Sequence, residues 1–514
     1  MNPVKMKKLF DSLVSINHDL KKLISQEAIN NFGKSSYQGD NANYSISVFQ
    51  DHLIQPNENI KKFLYYMGKS LITWSKGNFK DGYYPLEDVH HGTEIFLGFL
   101  PRYIDLFPED DEARNLFLSV FKFIDKDSSS KVNWFDYKKQ NFKSWHFGSH
   151  DINQDKSVSY NTADHLRFVH IALIAWRFTK DSKYIDWALC YAKEFAKKLV
   201  LSSKDLPLAW DLNWKGYFSE DMLSNKEKYI ISSHHHHYES IYKGYENLIA
   251  SGAIFVFGEL YLQTKEEIFY KASKKIIENT IAIIHKPYAD TVANNLNYYR
   301  YTFSDFSYDS QIINLLKEIP NETEKELMLA FPETEKIRLK EVGSRKDMIY
   351  WHYIEDLKTF NYDEPPSSFF TLAYNVTGDL DYAIRGLHHA SRKLKIASSL
   401  LRLGYEHADS GKLLSSIVSG HGRNWGVGAV TGCYSPLLVG TDENLGNYNY
   451  ILKFQSETIS KGCLPLVRHT QENKIEIKIY NVTNNDNSLK FSYKGLKSEE
   501  VKVSAGSIYE AIFS

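Results

Sequence analysis

Between residues 165 and 200 the chain reads HLRFVHIALIAWRF (165–178), TKDSKY (179–184) and IDWALCYAKEFAKKLV (185–200). Apolar side chains recur at helical spacing in the first and last pieces, and the middle piece is polar. Asp181 and Ser182 stand where short polar side chains accept hydrogen bonds from the first free amides of a helix. The spacing therefore predicts an antiparallel helix hairpin over 163–200 with a short polar connector.

The same unit recurs. Phe99–Ile124 turns at Pro108–Asp111, Phe257–Ile281 breaks near Thr264 and Glu266, and Phe369–Leu401 breaks at Thr377, Gly378 and Asp379. Hairpins repeated at loose intervals predict a helical array whose connecting loops have room for a site. From about Gly440 the pattern changes to alternation. KIEIKIYNV (474–482), LKFSYKG (489–495) and EEVKVSAGSIYEAIF (499–513) read as strands, with a turn at Asn484–Asn487. Helices first and strands last predict segregated layers: a mainly α domain over 1–440 and a small antiparallel β-module over 441–514.

Composition narrows the classes of function. Lys and Arg number 62 against 63 Asp and Glu, so no basic excess exists to wrap a polyanion, and no nucleic-acid partner is expected. Cys190, Cys433 and Cys463 are isolated, which indicates neither a disulfide framework nor a zinc ribbon. Asp11, Ser12 and Ser15 interrupt the apolar residues of Met1–Leu20, so no signal-peptide core is expected. No run approaches the roughly 18 apolar residues of a membrane span. A cytoplasmic or periplasmic protein without a membrane partner is the expectation, and oligomeric state is open. The 35 Tyr and 9 Trp suit surfaces that stack on a sugar ring, although large helical cores also consume aromatics.

The connectors Thr179-Lys-Asp181-Ser-Lys-Tyr184 and Thr377-Gly-Asp379-Leu-Asp-Tyr382 share the pattern T-x-D-x-x-Y. Repeated hairpins with such connectors, followed by a β-module, resemble the (α/α) toroid architecture. That architecture is shared by six-hairpin glycosidases, including unsaturated glucuronyl hydrolases, and by several polysaccharide lyase families. The resemblance implies a toroid fold and carbohydrate chemistry, and it transfers no catalytic residue.

Chemistry is expected in the loops that enter the inner helices, where ten of the 19 histidines gather. The first such segment runs from Asp81 to Glu94, just before a helix expected near Thr93, whose free amides favour an anion. It offers carboxylates in Asp88 and Glu94 and imidazoles in His90 and His91; an ordinary helix cap is the plain alternative. The second holds His146, His150 and Asp151, then Tyr160, Asn161, Thr162, Asp164 and His165. Thr162 is expected to cap the next helix, with Asn161 outside it and His165 in its first turn facing the site. Tyr, Asn and His together suit β-elimination, in which one group withdraws a proton beside a carboxylate and others stabilise the enolate. A polar loop with one cap is the alternative.

The third segment is the histidine run His234–His237 with Tyr238 and Glu239. Alternate histidines of an extended segment share a face, so His234 with His236, or His235 with His237, could hold one divalent metal or one carboxylate; a solvated loop with one functional histidine is the alternative. The fourth is Gly420–Gly428, where Arg423 could grip a carboxylate through two hydrogen bonds, Asn424 could assist and Trp425 could stack on a sugar. Arg300 lies in a further polar aromatic stretch, Asn294–Tyr301, suited to sugar contacts.

These loops fit elimination at a uronic-acid residue better than hydrolysis, because no carboxyl pair stands out. The sequence reading is thus a carbon–oxygen lyase or dehydratase acting on uronic-acid-containing oligo- or polysaccharides. His91, Tyr160, His165 and Tyr238 are its catalytic candidates. His146, Asn161, His236, Arg300, Arg423, Asn424 and Trp425 are its substrate contacts. No cofactor is required, and a divalent metal is possible. A glycoside hydrolase is the alternative, and a non-catalytic glycan-binding protein the third reading.

Overall fold

The computed structural model describes residues 57–202, 205–219, 222–224, 245–285, 290–319, 367–401 and 461–513 (less 473, 491, 494, 495, 498 and 499), together with 3–12 and scattered positions up to 52. Its helices are α1 (Glu58–Asn78), α2 (Val89–Leu97), α3 (Phe99–Leu106), α4 (Asp111–Ser119), α5 (Leu166–Thr179), α6 (Ser182–Leu201) and α7 (Tyr245–Ala250). They continue with α8 (Ala253–Thr264), α9 (Glu267–Thr280), α10 (Asp290–Phe303), α11 (Asp309–Lys317), α12 (Ser367–Thr377) and α13 (Leu380–Leu401). Short strands stand between them: β1 (Glu87–Asp88), β2 (Phe135–Asp136), β3 (Asn141–Phe142), β4 (His146–Phe147), β5 (Tyr160–Asn161), β6 (Ala209–Asp211) and β7 (Gly216–Tyr217). The described chain is mostly helical. Among the described residues no helix is long and apolar enough to cross a membrane.

The helices divide by burial. Leu166–Ala175 of α5, Ala253–Leu260 of α8 and Ser367–Val376 of α12 are buried without interruption. By contrast α6 buries one stripe only, Tyr184, Trp187, Ala188, Tyr191, Ala192, Phe195, Ala196 and Leu199. A helix apolar all round belongs inside, and a striped helix belongs at the surface. Packing follows that division: α5 pairs with α6, α8 with α9 and α12 with α13, while α2, α5, α8, α10 and α12 pack in succession. The hairpin expected over 99–124 is present as α3 and α4.

Three connectors repeat one device. Thr179, Thr264 and Thr377 each donate Oγ1–H to the carbonyl four residues back, of Ala175, Leu260 and Ala373. Each hydroxyl then accepts from the amide two residues on, of Asp181, Glu266 and Asp379. The residue between is left-handed in every case: Lys180 at φ 60°, Lys265 at 59° and Gly378 at 74°. Asp181 caps α6 through the Lys183 amide, as the sequence predicts. The T-x-D spacing is thus a helix stop joined to a helix start.

The C-terminal module opens with β8 (Cys463–His469) and β9 (Ile475–Asn481), continues through β10 (Asn487–Leu489), β11 (Ser492–Tyr493), β12 (Leu496–Lys497) and β13 (Val501–Val503), and ends with β14 (Ile508–Phe513). β14, β9 and β8 form one antiparallel sheet in that order, and β10 pairs with β13. Period two divides β8 and β9 between two cores. Cys463, Val467, Ile477 and Ile479 pack with Leu489 and Val503, while Leu464, Leu466 and Tyr480 join the main core. Arg468 closes the join by donating to the Asn375 and Val376 carbonyls at the end of α12. Glycine at 378 leaves it room, since a Cβ there would lie 2.5 Å from Arg468 Nη1. The expected boundary at 440/441 lies outside the described residues.

Candidate functional site

β1 pairs antiparallel with β4, setting Asp88 opposite His146 and Glu87 opposite Phe147. Asp88 is also the N-cap of α2, so this helix begins at Val89, earlier than the expected start near Thr93. Thr93 caps nothing; its hydroxyl donates to the Val89 and His90 carbonyls. The Asp88 carboxylate holds His91 twice, accepting from the backbone amide at 2.9 Å and facing Nδ1 at 2.6 Å. Burial lowers the His91 pKa, but the charge and hydrogen bond of Asp88, with Glu94 and Glu87, more than reverse this and raise it to about 9. His91 is therefore an imidazolium at neutral pH, with 32% of its side chain open to solvent. Beside it, burial raises the Glu87 carboxyl and the charge of Asp88 adds to that.

Behind this edge lies a buried charged cluster. His90 Nε2 stands 3.5 Å from Glu94, and His90 Nδ1 stands 3.7 Å from Asp164. Arg167 lies 3.6 Å from the same Asp164 oxygen and donates to the His90 carbonyl at 3.0 Å. The cluster ties the first turn of α2 to the turn that starts α5, and so fixes where Asp88 and His91 emerge.

Several residues expected at the ligand are interior groups instead. Thr162 does cap the turn before α5, but His165 points inward: Nε2 donates to the Ser144 carbonyl at 3.0 Å, and Nδ1 accepts from the Thr162 amide at 3.1 Å. Its ring packs on Phe142, and burial lowers its pKa to about 4. Asn161 is fully buried, donating to Asn141 Oδ1 and accepting from Tyr191 Oη at 2.8 Å. Arg300, 1% exposed, makes two parallel 2.7 Å hydrogen bonds to Asp309, which also accepts from Gln471 of the β-module. The Arg300–Asp309 pair fastens α10 and α11 together and, through Asp309, ties them to the module, and no surface of Arg300 is left for a sugar. Tyr160 is buried in a small satellite cluster with Ala209 and Leu223.

His91 and His146 are the candidates that the structure brings together. His150 is exposed on the neighbouring loop. Tyr238, His234, His236, Arg423, Asn424 and Trp425 lie outside the described residues. Glu87 and Asn153, which the sequence reading did not single out, also belong here. Glu87 faces the Asp88–His91 pair, and Asn153 Nδ2 approaches His146 Nδ1 at 3.3 Å. Glu87, Asp88 and His91 each offer a ligand atom, all within 4.8 Å of one another, so the three could hold one divalent cation if His91 gave up its proton.

No protein-family model matches this chain. A search of curated proteins finds no similar sequence.

Proposed function

We propose that the chain cleaves or dehydrates uronic-acid-containing oligo- or polysaccharides by β-elimination, with the Asp88–His91 pair at its site. One observation carries this reading: a part-exposed histidine, held at 2.6 Å by a carboxylate, at the N-terminus of a buried helix. A uronate resists loss of its α-proton because a second negative charge develops on the carboxylate. A fixed cation and a helix N-terminus would offset that charge where it grows. Inner helices buried all round, with striped partners outside, support a toroid-like arrangement in which such loops share one mouth.

Hydrolysis is the second reading, favoured by Glu87. A carboxyl whose pKa is raised by burial, next to the Asp88 carboxylate, is the kind of pair that glycoside hydrolysis employs. Mass spectrometry of products from saturated and unsaturated uronic-acid oligosaccharides separates the two. Elimination yields fragments whose masses sum to that of the substrate, or an oligomer lighter by one water. Hydrolysis yields fragments heavier by one water. His91→Ala is expected to lower kcat by about 100-fold or more. A wild-type protein inert on the whole uronic-acid panel would end both readings.

A further inference from the structure

We propose that His146 is a neutral hydrogen-bond donor to an oxyanion of the ligand, presenting Nε2–H in a tautomer fixed by Asn153. This rests on the reading of the site as one that receives a uronate, and it assigns His146 a defined chemistry there. The decisive contact is not with His146 itself. Asn153 Oδ1 accepts the backbone N–H of Asp155 at 2.9 Å, which fixes which end of the carboxamide faces which way. Its NH2 end therefore meets His146 Nδ1, 3.3 Å away. An amide nitrogen only donates, so Nδ1 must carry the lone pair and Nε2 the proton.

The backbone holds both residues in register. The Asn153 amide donates to the His146 carbonyl at 3.0 Å, and the His146 amide donates to Ser144 Oγ at 3.1 Å. A second proton on Nδ1 would point at the amide hydrogens of Asn153. Burial also lowers the His146 pKa, with the charge of Asp88 only partly opposing it. Geometry and burial thus both favour the neutral ring with its proton on Nε2.

Its placement gives the donor a target. Residues directly opposite in an antiparallel pair project to the same face, so His146 leaves the ribbon beside Asp88, which holds His91. A ligand oxyanion seated there would meet one charged and one neutral imidazole. The neutral one adds stabilisation without changing protonation state, the property wanted of a donor to a developing enolate or carboxylate oxygen. The same tautomer excludes His146 as the general base through Nε2, since that nitrogen already bears a proton.

The test is nitrogen NMR of the full-length protein labelled with 15N-histidine, the His146 signals being identified by their loss in His146→Gln. The expected result at pH 7 is an unprotonated Nδ1 and a protonated Nε2. Added D-glucuronate should shift the Nε2 signal while leaving it protonated. In Asn153→Asp a carboxylate accepts from the ring, so the proton should move to Nδ1 and glucuronate should bind about tenfold more weakly. Asn153→Ser, a smaller change, should give a mixture of tautomers. An Nδ1-protonated wild-type ring would overturn the proposal, as would an Nε2 signal that neither glucuronate nor acetate moves. If glucuronate shifts Nε2 but no uronic-acid substrate is turned over, the elimination reading fails and the donor assignment stands.

Discussion

Replacing Asp88 by Asn isolates the charge on which the proposed site depends. Asn caps a helix about as well as Asp, so the first turn of α2 should survive while the charge beside His91 and the acceptor facing its Nδ1 both go. In the wild-type protein the His91 pKa stands at about 9 against an ordinary value of 6.5. At about 1.4 kcal/mol per pH unit, the folded state favours the charged ring by at most about 3.4 kcal/mol. Solvent reaches 32% of that side chain, so screening should reduce the figure, to about 2 kcal/mol. The sign follows from linkage. A raised folded-state pKa contributes its full stability below about pH 6.5, loses it across 6.5 to 9, and contributes nothing above. In Asp88→Asn burial is left to act with only Glu94 and Glu87 opposing it, so the pKa should drop by one unit or more, about 1.4 kcal/mol or above. Proton NMR titration of His91 reads the pKa, and urea midpoints at pH 6 and pH 10 read the linked stability. A wild-type His91 that titrates at or below 6.5, or an unchanged pH slope in Asp88→Asn, would refute the reasoning.

Other perturbations test the interior assignments. His165→Ala should destabilise by about 2–4 kcal/mol in urea unfolding, because it unpairs Ser144 and Thr162 backbone groups and leaves a hole against Phe142. KM should stay unchanged, since His165 is interior. Asp309→Asn should cost about 3 kcal/mol by stranding the buried Arg300 guanidinium, whereas Arg300→Met with Asp309→Leu should recover most of that loss. Gly92→Ala would place a Cβ 2.0 Å from Tyr83 Oη, an overpacking of about 1–3 kcal/mol. Adding Tyr83→Phe removes that hydroxyl, so the thermal midpoint of the double variant should lie above that of Gly92→Ala alone.

What the sequence reveals depends on whether a residue's role is local. The α5–α6 hairpin, its Asp181 cap and the Thr-x-Asp connector are all decided within a few residues, and each is legible from spacing. β8 is not, because CLPLVRH is buried on both faces and shows no alternation for period two to mark. The site residues fail for a related reason. His165, Asn161 and Arg300 are polar groups near expected mouths, and nothing in their neighbours' identity says that Ser144, Tyr191 and Asp309 will consume them. Burying such groups requires partners, and partners come from distant parts of the chain. Conversely, the pairing of Asp88 with His146 rests on a two-residue ribbon too short for any periodic signal. An abundance of His, Tyr and Asn therefore marks where polar loops meet the core, and only the partner of each group separates structural members from chemical ones. By that criterion the part-exposed His91, charged through Asp88, and His146, oriented through Asn153, are the histidines to mutate first.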